Sequence, residues 1–396
     1  MPDYFGKDTK KLGFGLMRLP RKLLGTDIEE TKRMVDLFME AGFTYFDTAY
    51  VYPGSEEAIK KALVERYPRD SYTLTTKLNA FMMAPNEKAA KQQLFTSLER
   101  TGAGYFDYYL LHALMENNYK KYDRYHLWDY AAEMKEKGII KHYGFSFHGD
   151  VAVFDWALAH HDEYHWDFVQ IQANYVDWNN EEDKGRSGKY LYEELEKRGI
   201  PAVIMEPLLG GRLSKVPDHV VAHFKQRKPE DSVASWAFRY IGSKPNILTV
   251  LSGMTYMEHL EDNLRTYSPL DPLTEEEQQW LEGETATLIK SYPTIDCNDC
   301  KYCMPCPYGL DIPGIFVHYN KCVNQGNVPE SQQAENYRKA RRAFLVGYDR
   351  SVPRLRQASH CIQCRECVSH CPQQIDIPRE LQRVDAFVEK LKQGTL

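Results

Sequence analysis

Between residues 11 and 266, short β-branched or aromatic runs alternate with amphipathic stretches, and this alternation leaves the chain very few folds. The runs at 43–47, 71–77, 106–112, 139–146, 168–174, 201–207 and 246–253 read as strands, and 12–20 supplies a first one. Between them, 28–42 carries Ile28, Thr31, Met34, Val35 and Phe38 at helical spacing. Further helices are expected over 86–101, 126–138, 189–199, 231–241 and 256–266. Strands that alternate with helices build a parallel sheet, and eight such units predict an α/β fold of the (β/α)8 TIM barrel type. An open doubly wound sheet would want G-x-G-x-x-G after its first strand, whereas "GFG" at 13–15 stops short of that pattern.

The cysteines follow a different rule, since all nine lie beyond residue 296. The first fifteen residues hold no apolar stretch of the secretory kind, and no run is long enough to span a bilayer. A cytoplasmic protein without membrane insertion is therefore expected, and clustered thiols there favour metal over disulfides. Cys361, Cys364, Cys367 and Cys371, closed by Pro372, match C-x₂-C-x₂-C-x₃-C-P, a ferredoxin run. Upstream, Cys297, Cys300, Cys303 and Cys306 precede Pro307, with a last spacing of two rather than three. Eight thiols in two runs predict two [4Fe–4S] clusters, the final cysteine of each run serving the other's cluster. Zinc ribbons use two C-x₂-C pairs per metal, so the third cysteine and the Cys-Pro ending speak for iron. Cys322 fits neither run and reads as an ordinary half-buried thiol.

Two domains are expected, a barrel over 1–290 and a mainly helical, two-cluster ferredoxin-like domain over 291–396. Net charge is −6, divided as −9 on the first and +3 on the second, which gives no reason to expect nucleic acid. The basic run between Arg338 and Arg356 would either offset the clusters' negative charge or form a solvated helix face. Beyond the strand–helix alternation, no repeat is read.

Four polar residues stand near the carboxyl ends of successive strands: Asp47, Tyr52, Lys77 and His112. In a (β/α)8 barrel, active sites are built at that end. Reducing a carbonyl by hydride requires an acid for the developing alkoxide, and a phenol of ordinary pKa near 10 is too weak unless a cation lowers it. Lys77 would supply the cation, Asp47 would orient it, and His112 would hydrogen-bond the carbonyl oxygen.

With "FDTAYVYPGSE", "TTKL" and "LLHAL" at these places, residues 11–266 resemble the aldo/keto reductase family. The resemblance implies a barrel that binds extended NADH or NADPH without a Rossmann domain. It places the nicotinamide carboxamide at Ser146 and Gln170, with Gln172 a rival, and Phe147 where relatives have asparagine. It sets phosphate near Gly253 and Met254 and adenine near Asn263. Met205 and Glu206 occupy the place where many relatives stack a tyrosine. The whole chain is similar to the branch of the family with a C-terminal ferredoxin-like extension.

Three functions follow. The barrel reduces a small-molecule carbonyl while the clusters are structural or regulatory; the clusters relay electrons from a ferredoxin-like redox partner to a flavin or substrate; or the protein is a non-catalytic redox sensor. The sequence names neither the substrate nor the oligomeric state, although the tyrosine-rich segment 114–129 is expected to line the pocket.

Overall fold

The computed structural model describes Phe5 and residues 10–396. Eight parallel strands close into a barrel: β1 Leu12–Gly15, β2 Tyr45–Asp47, β3 Thr73–Leu78, β4 Phe106–Leu114, β5 Ile140–Phe147, β6 Phe168–Gln172, β7 Ala202–Met205 and β8 Ile247–Ser252. The ring closes through β1, where Gly13 lies opposite Leu251 of β8 and Tyr45 of β2. The barrel read from the alternation is thus present. Both β3 and β4 are buried along their whole length, as parallel strands covered on both faces require. Tyr45, Tyr108, Leu110, Phe168, Val203 and Leu248 pack together as part of one apolar cluster contributed by these strands.

Local chemistry explains where the helices start. Asp27 accepts a bond from the Glu30 amide at 3.2 Å, and the helix Ile28–Glu40 that follows buries Thr31, Met34, Val35 and Phe38. The sequence pattern did not reveal Val151–Ala159, whose "VAVFDWALA" is rich in β-branched and aromatic residues. Asp150 caps it by accepting from the Val153 amide at 2.9 Å, and Val153, Phe154, Ala157 and Leu158 form its buried face. The polar stretch 273–292 is not one regular helix. It starts at a capping box of Thr274 and Glu277, widens over Leu281–Thr285 and resumes at Ala286–Lys290.

Internal contacts divide the chain into two units, Met1–Pro207 with Ser235–Glu282, and Leu208–Ala234 with Gly283–Leu396. Residues 208–234, within the span expected for the barrel, thus make their contacts in the unit that holds the cysteines. The physical reason is backbone packing and ion pairing onto the first cysteine run, described below. In the second unit, helices Ile312–Asn324, Tyr337–Ser351 and Ile377–Gln393 share a core that includes Ile315, Phe316, Phe344, Leu381 and Val384. Here the structure also corrects the reading that no second repeat exists. Each cysteine run is followed by Asp-Ile-Pro, Asp311–Pro313 and Asp376–Pro378, and each of these opens a helix with proline in its first turn.

The basic run resolves into a helix face. Arg338, Lys339, Arg342 and Arg350 are exposed, while Arg341 donates to the carbonyls of Leu391 and Lys392 at the end of the last helix. Cys322 is fully buried rather than half-buried, 3.5 Å from the His318 ring, and burial pushes its thiol up to about 12.

Gly144 offers a test of the barrel. It faces Phe168 across the β5–β6 ladder, and a Cβ there would lie 1.9 Å from the Phe168 carbonyl oxygen. Backbone cannot yield as a flexible side chain can, so Gly144→Ala is expected to cost at least about 3 kcal/mol. Thermal unfolding would show this as a melting point lower by roughly 6 °C or more. A shift under 2 °C would mean that the two strands can part freely.

Candidate active site and cysteine centres

The four barrel residues singled out in the sequence come together at the carboxyl ends of β2, β3 and β4. Lys77 is wholly buried and donates to Asp47 Oδ2 at 2.5 Å and to the Thr48 carbonyl at 2.8 Å. Its Nζ lies 5.1 Å from the centre of the Tyr52 ring. That ring stands edge-on to His112, with centroids 5.9 Å apart and planes at 81°. Burial drives the Lys77 ammonium below its ordinary value and the Asp47 carboxyl above its own, and each charge opposes the other's shift. Glu56, buried and bonded to Thr76 at 2.8 Å, adds a second negative charge that favours the lysine cation.

Tyr52 sits on a turn after β2, where its amide donates to the Ala49 carbonyl at 3.0 Å and its carbonyl accepts from Ser55 at 3.1 Å. Gly54 takes the left-handed conformation that this turn needs, with φ at 73°.

His112 is held by a strained backbone. The next residue, Ala113, has φ at 56°, and the β4–β5 register shifts between Leu111 and Leu114. Three side chains sustain the bulge. Ser146 Oγ accepts from the Ala113 amide at 2.7 Å, Asn118 donates to the Ala113 carbonyl at 2.8 Å, and Asn118 Oδ1 accepts from Met115 at 3.0 Å. Tyr122 donates to the His112 carbonyl. The segment 114–129 thus helps to fix the backbone that carries His112.

Burial, with Lys77 and His148 close by, holds the His112 imidazole well below its usual pKa. His148, at the end of β5, is pushed down to about 4 by burial and then by Lys77. Sequence reasoning missed His148. Its position two residues after Ser146 was the available signal, because the intervening Phe147 returns the side chain to the same face of the strand.

Ser146 and Gln170 lie directly opposite one another in the β5–β6 register. Gln170 Nε2 donates to Met205 Sδ at 3.2 Å, while its Oε1 is buried without a hydrogen-bond partner among the described residues. A carboxamide NH₂ would satisfy that oxygen, and the Ser146 hydroxyl, already accepting one bond, keeps a proton to donate. These residues fit a nicotinamide. Gly253 is exposed beside β8, and a Cβ on it would lie 3.2 Å from Arg18 Cδ. Arg18, overlooked in the sequence, brings a guanidinium stem to the loop expected to carry phosphate. Met254 is fully buried, and Asn263 donates to Ser252 Oγ at 2.8 Å, which stiffens that loop from within.

In the second unit the eight thiols line two cavities. Cys297, Cys300, Cys303 and Cys371 surround one, together with Ile312 and Phe316. Cys306, Cys361, Cys364 and Cys367 surround the other, where Cys303 and Tyr308 also contribute. The last cysteine of each run reaches the cavity formed by the other, and the short spacing before Cys306 does not prevent this. Left-handed residues recur at matching places, Asp299 and Lys301 in the first run and Gln363 and Arg365 in the second. Such turns aim backbone amides inward, and the Asp299 amide lies 3.5 Å from Cys297 Sγ. Among the described residues, no three Cys, His, Asp or Glu converge on a point the size of one metal ion. Four thiols around a roomier cavity fit a cluster better than a tetrahedral ion. Burial pushes the Cys297 and Cys367 thiols up to about 11, so iron entering there must displace protons.

Comparison with known proteins agrees with this geometry. The aldo/keto reductase family model matches residues 11–282, and the 4Fe-4S dicluster domain model matches 296–375. YqkF of Bacillus subtilis (strain 168), described as an uncharacterized oxidoreductase, is 24% identical over 310 residues, 70% of this chain and 93% of its own. The methylglyoxal reductase DkgA of Yersinia pestis is 32% identical over 143 residues, 36% of this chain and 46% of its own. Among solved structures, the holo form of aldo-keto reductase AKR11C1 from Bacillus halodurans has a TM-score of 0.56 at 24% identity, covering 72% of this chain and 93% of that one. An aldo-keto reductase from Klebsiella pneumoniae in complex with NADPH has a TM-score of 0.57 at 18% identity, covering 70% and 92%. At such identities the likeness of structures is one of fold, and it is the match along residues 11–282 that decides: the chain is an oxidoreductase of the aldo/keto reductase family, and it carries a 4Fe-4S dicluster domain.

Proposed function

We propose that the barrel reduces a small carbonyl compound with NADH or NADPH, and that the second unit binds two [4Fe–4S] clusters with a structural or regulatory role. The carrying observation is the buried Lys77–Asp47 pair at 2.5 Å, with the Tyr52 ring 5.1 Å from the lysine nitrogen. The nicotinamide, when bound, supplies the hydride. Tyr52 then donates its phenolic proton to the oxygen that becomes the alcohol. Lys77 stabilises the phenolate left behind, and Asp47 keeps the lysine charged and aimed. His112, neutral because burial holds its pKa down, donates a hydrogen bond to the same oxygen and orients the carbonyl. Ser146 and Gln170 would hold the carboxamide. Methylglyoxal, named in the Yersinia pestis relative, is a reasonable first substrate to assay.

One observation favours electron relay as a second reading. Cys364 is exposed, as is its neighbour Ile362, so a cluster in the second cavity would lie within reach of a redox protein. The chemistry proposed for the barrel does not depend on that route.

The iron content follows from the two cavities. Anaerobically purified protein is expected to contain about eight iron and eight labile sulfide per chain. Stoichiometric zinc without iron would sink the cluster reading, and a count near four would leave one cavity without a cluster.

Tyr52→Phe is the cleaner test of the proton donor, since Lys77→Met would leave Asp47 buried without its partner at a cost of about 3–5 kcal/mol. Tyr52→Phe is expected to lower kcat by at least about a hundredfold while nicotinamide affinity stays within about twofold. Burial holds the His112 imidazole well below its ordinary value and pushes His148 down to about 4, so neither gains a proton near pH 6.5. The wild-type pH profile of kcat/KM should therefore show no step near 6.5. Unchanged turnover in Tyr52→Phe would discard the mechanism.

For the cofactor, we expect NADH to bind at least as well as NADPH. The places where a lysine and an arginine would clamp the 2′-phosphate are Gly253 and His259, with Glu258 and Glu261 beside them. Arg265 is paired with Asp262 at 3.0 Å and turned to solvent. Lacking one charge-assisted bond costs roughly 1.5–3 kcal/mol, or one to two powers of ten in affinity. Dissociation constants for both nucleotides decide this, and a tenfold preference for NADPH would overturn it and make Arg18 the cation to remove next.

A further inference from the structure

The strand β7 ends at Met205, whose sulfur accepts from Gln170 in the proposed nicotinamide site. In a (β/α)8 barrel the loop after such a strand belongs to the mouth of the active site. Here that loop, from Leu208 onward, packs within the cysteine-bearing unit, and the chain returns to the barrel only at Ser235.

Its attachment is specific. Gly210 has φ at 67°, and a Cβ there would lie 2.4 Å from the Asn298 carbonyl oxygen and 2.7 Å from Asn298 Cα, so backbone rests directly on backbone. Asn298 is buried and stands between Cys297 and Cys300. Two residues on, Arg212 donates to Asp296 at 2.8 Å and to Thr294 at 3.3 Å. Asn324 donates to the Lys215 carbonyl, and Tyr292 bonds to His219. The receiving surface is itself tied together, for Asn320 exchanges two 2.7 Å bonds with the Ile295 backbone, and Ile312 and Phe316 of the same helix line the first cysteine cavity.

The loop also needs holding. Glu206 and Leu209 have φ at 57° and 46°, left-handed conformations that non-glycine residues adopt only when surroundings impose them. The surface on which Gly210 rests, residues 293–303, contains no helix or strand of its own. Ligation of an iron cluster is what would give that surface a fixed shape.

We propose that the first cysteine centre controls the barrel through this loop: loading it fixes residues 208–217, and losing it frees them and weakens ligand binding at the end of β7. The proposal rests on the nicotinamide reading of the barrel for the second of these effects and not for the first. It makes the reductase dependent on an intact cluster without any electron passing between the centres. Arg212 and Gly210 are the residues that carry the coupling.

Hydrogen exchange over 203–217 and the NADPH dissociation constant, both measured on the full chain, test this. Three samples are compared: iron-loaded wild type, wild type stripped of iron by a chelator, and iron-loaded Arg212→Ala. Stripping is expected to speed exchange at 208–217 and to weaken NADPH about tenfold, a usual size for coupling between sites, while peptides of β1 to β4 keep their protection. Arg212→Ala should loosen the loop and weaken NADPH with its iron retained, which removes general unfolding of the second unit as the cause. Loop exchange that is the same with and without iron would overturn the proposal. So would a loosened loop with unchanged NADPH affinity. Iron-loaded wild type that binds no nicotinamide would instead overturn the function proposed for the barrel, and the exchange data would still decide the coupling.

Discussion

A lysine ammonium with no exposure to solvent is the most expensive group in this barrel, and much of the site's architecture exists to keep it there. Removing such an ion from water costs several kcal/mol even after relaxation, and a partner repays this only with good geometry and further hydrogen bonds. Lys77 has both, in Asp47 Oδ2 at 2.5 Å and the Thr48 carbonyl at 2.8 Å. Those partners come from β2 and the residue after it, so the charge bridges two neighbouring strands at the rim. Glu56, held by Thr76 and Arg100, extends the negative field from the next helix. A pair arranged in this way is poor value as a stabilising device. In the proposed function its use is chemical, because a buried cation beside a phenol acts in a low dielectric where its effect on the phenol's proton is large.

The same economy governs His112. The proposed reaction needs a neutral imidazole as donor, and burial beside Lys77 holds His112 well below its usual pKa. The cost moves into the backbone, where Ala113 adopts a left-handed conformation braced by Ser146 and Asn118. Strain of this kind, over-determined by surrounding hydrogen bonds, marks positions where geometry has been fixed for chemistry. Ser146 thus serves two tasks, bracing the histidine and facing the place proposed for the carboxamide.

The barrel was legible because its signal is periodic. Eight strand–helix units survive errors of a few residues at each boundary, and the strand-end residues Asp47, Lys77 and His112 follow from register. Legibility failed where structure depends on single contacts between distant segments. Val151–Ala159 is a helix capped by Asp150, and its buried face of Val153, Phe154, Ala157 and Leu158 is too short for its period to stand out. The Asp-Ile-Pro repeat escaped notice because each copy is short and the cysteine spacings before it differ by one. The bonds between 208–217 and 292–298 join residues about eighty positions apart, beyond the reach of any local pattern. Sequence order gives no sign that the glycine backbone and Arg212 of that loop pack on the cysteine run.

That loop bears on the pairing of a two-electron barrel with one-electron centres. Hydride moves as a pair of electrons, so a relay from nicotinamide to a cluster would need an intermediate able to split the pair. A cluster that holds a loop needs no such intermediate. What it needs is that ligation give shape to a segment lacking secondary structure, and that this segment touch a loop strained enough to relax when released. Residues 293–303 satisfy the first condition, and Gly210, resting on Asn298 beside the left-handed Leu209, satisfies the second. The two cavities then divide naturally by exposure. The cavity formed with Cys297, Cys300 and Cys303 stands next to the loop's anchor, and none of its four thiols is exposed. The other opens at Cys364 to the surface, so any exchange of electrons with a partner belongs there.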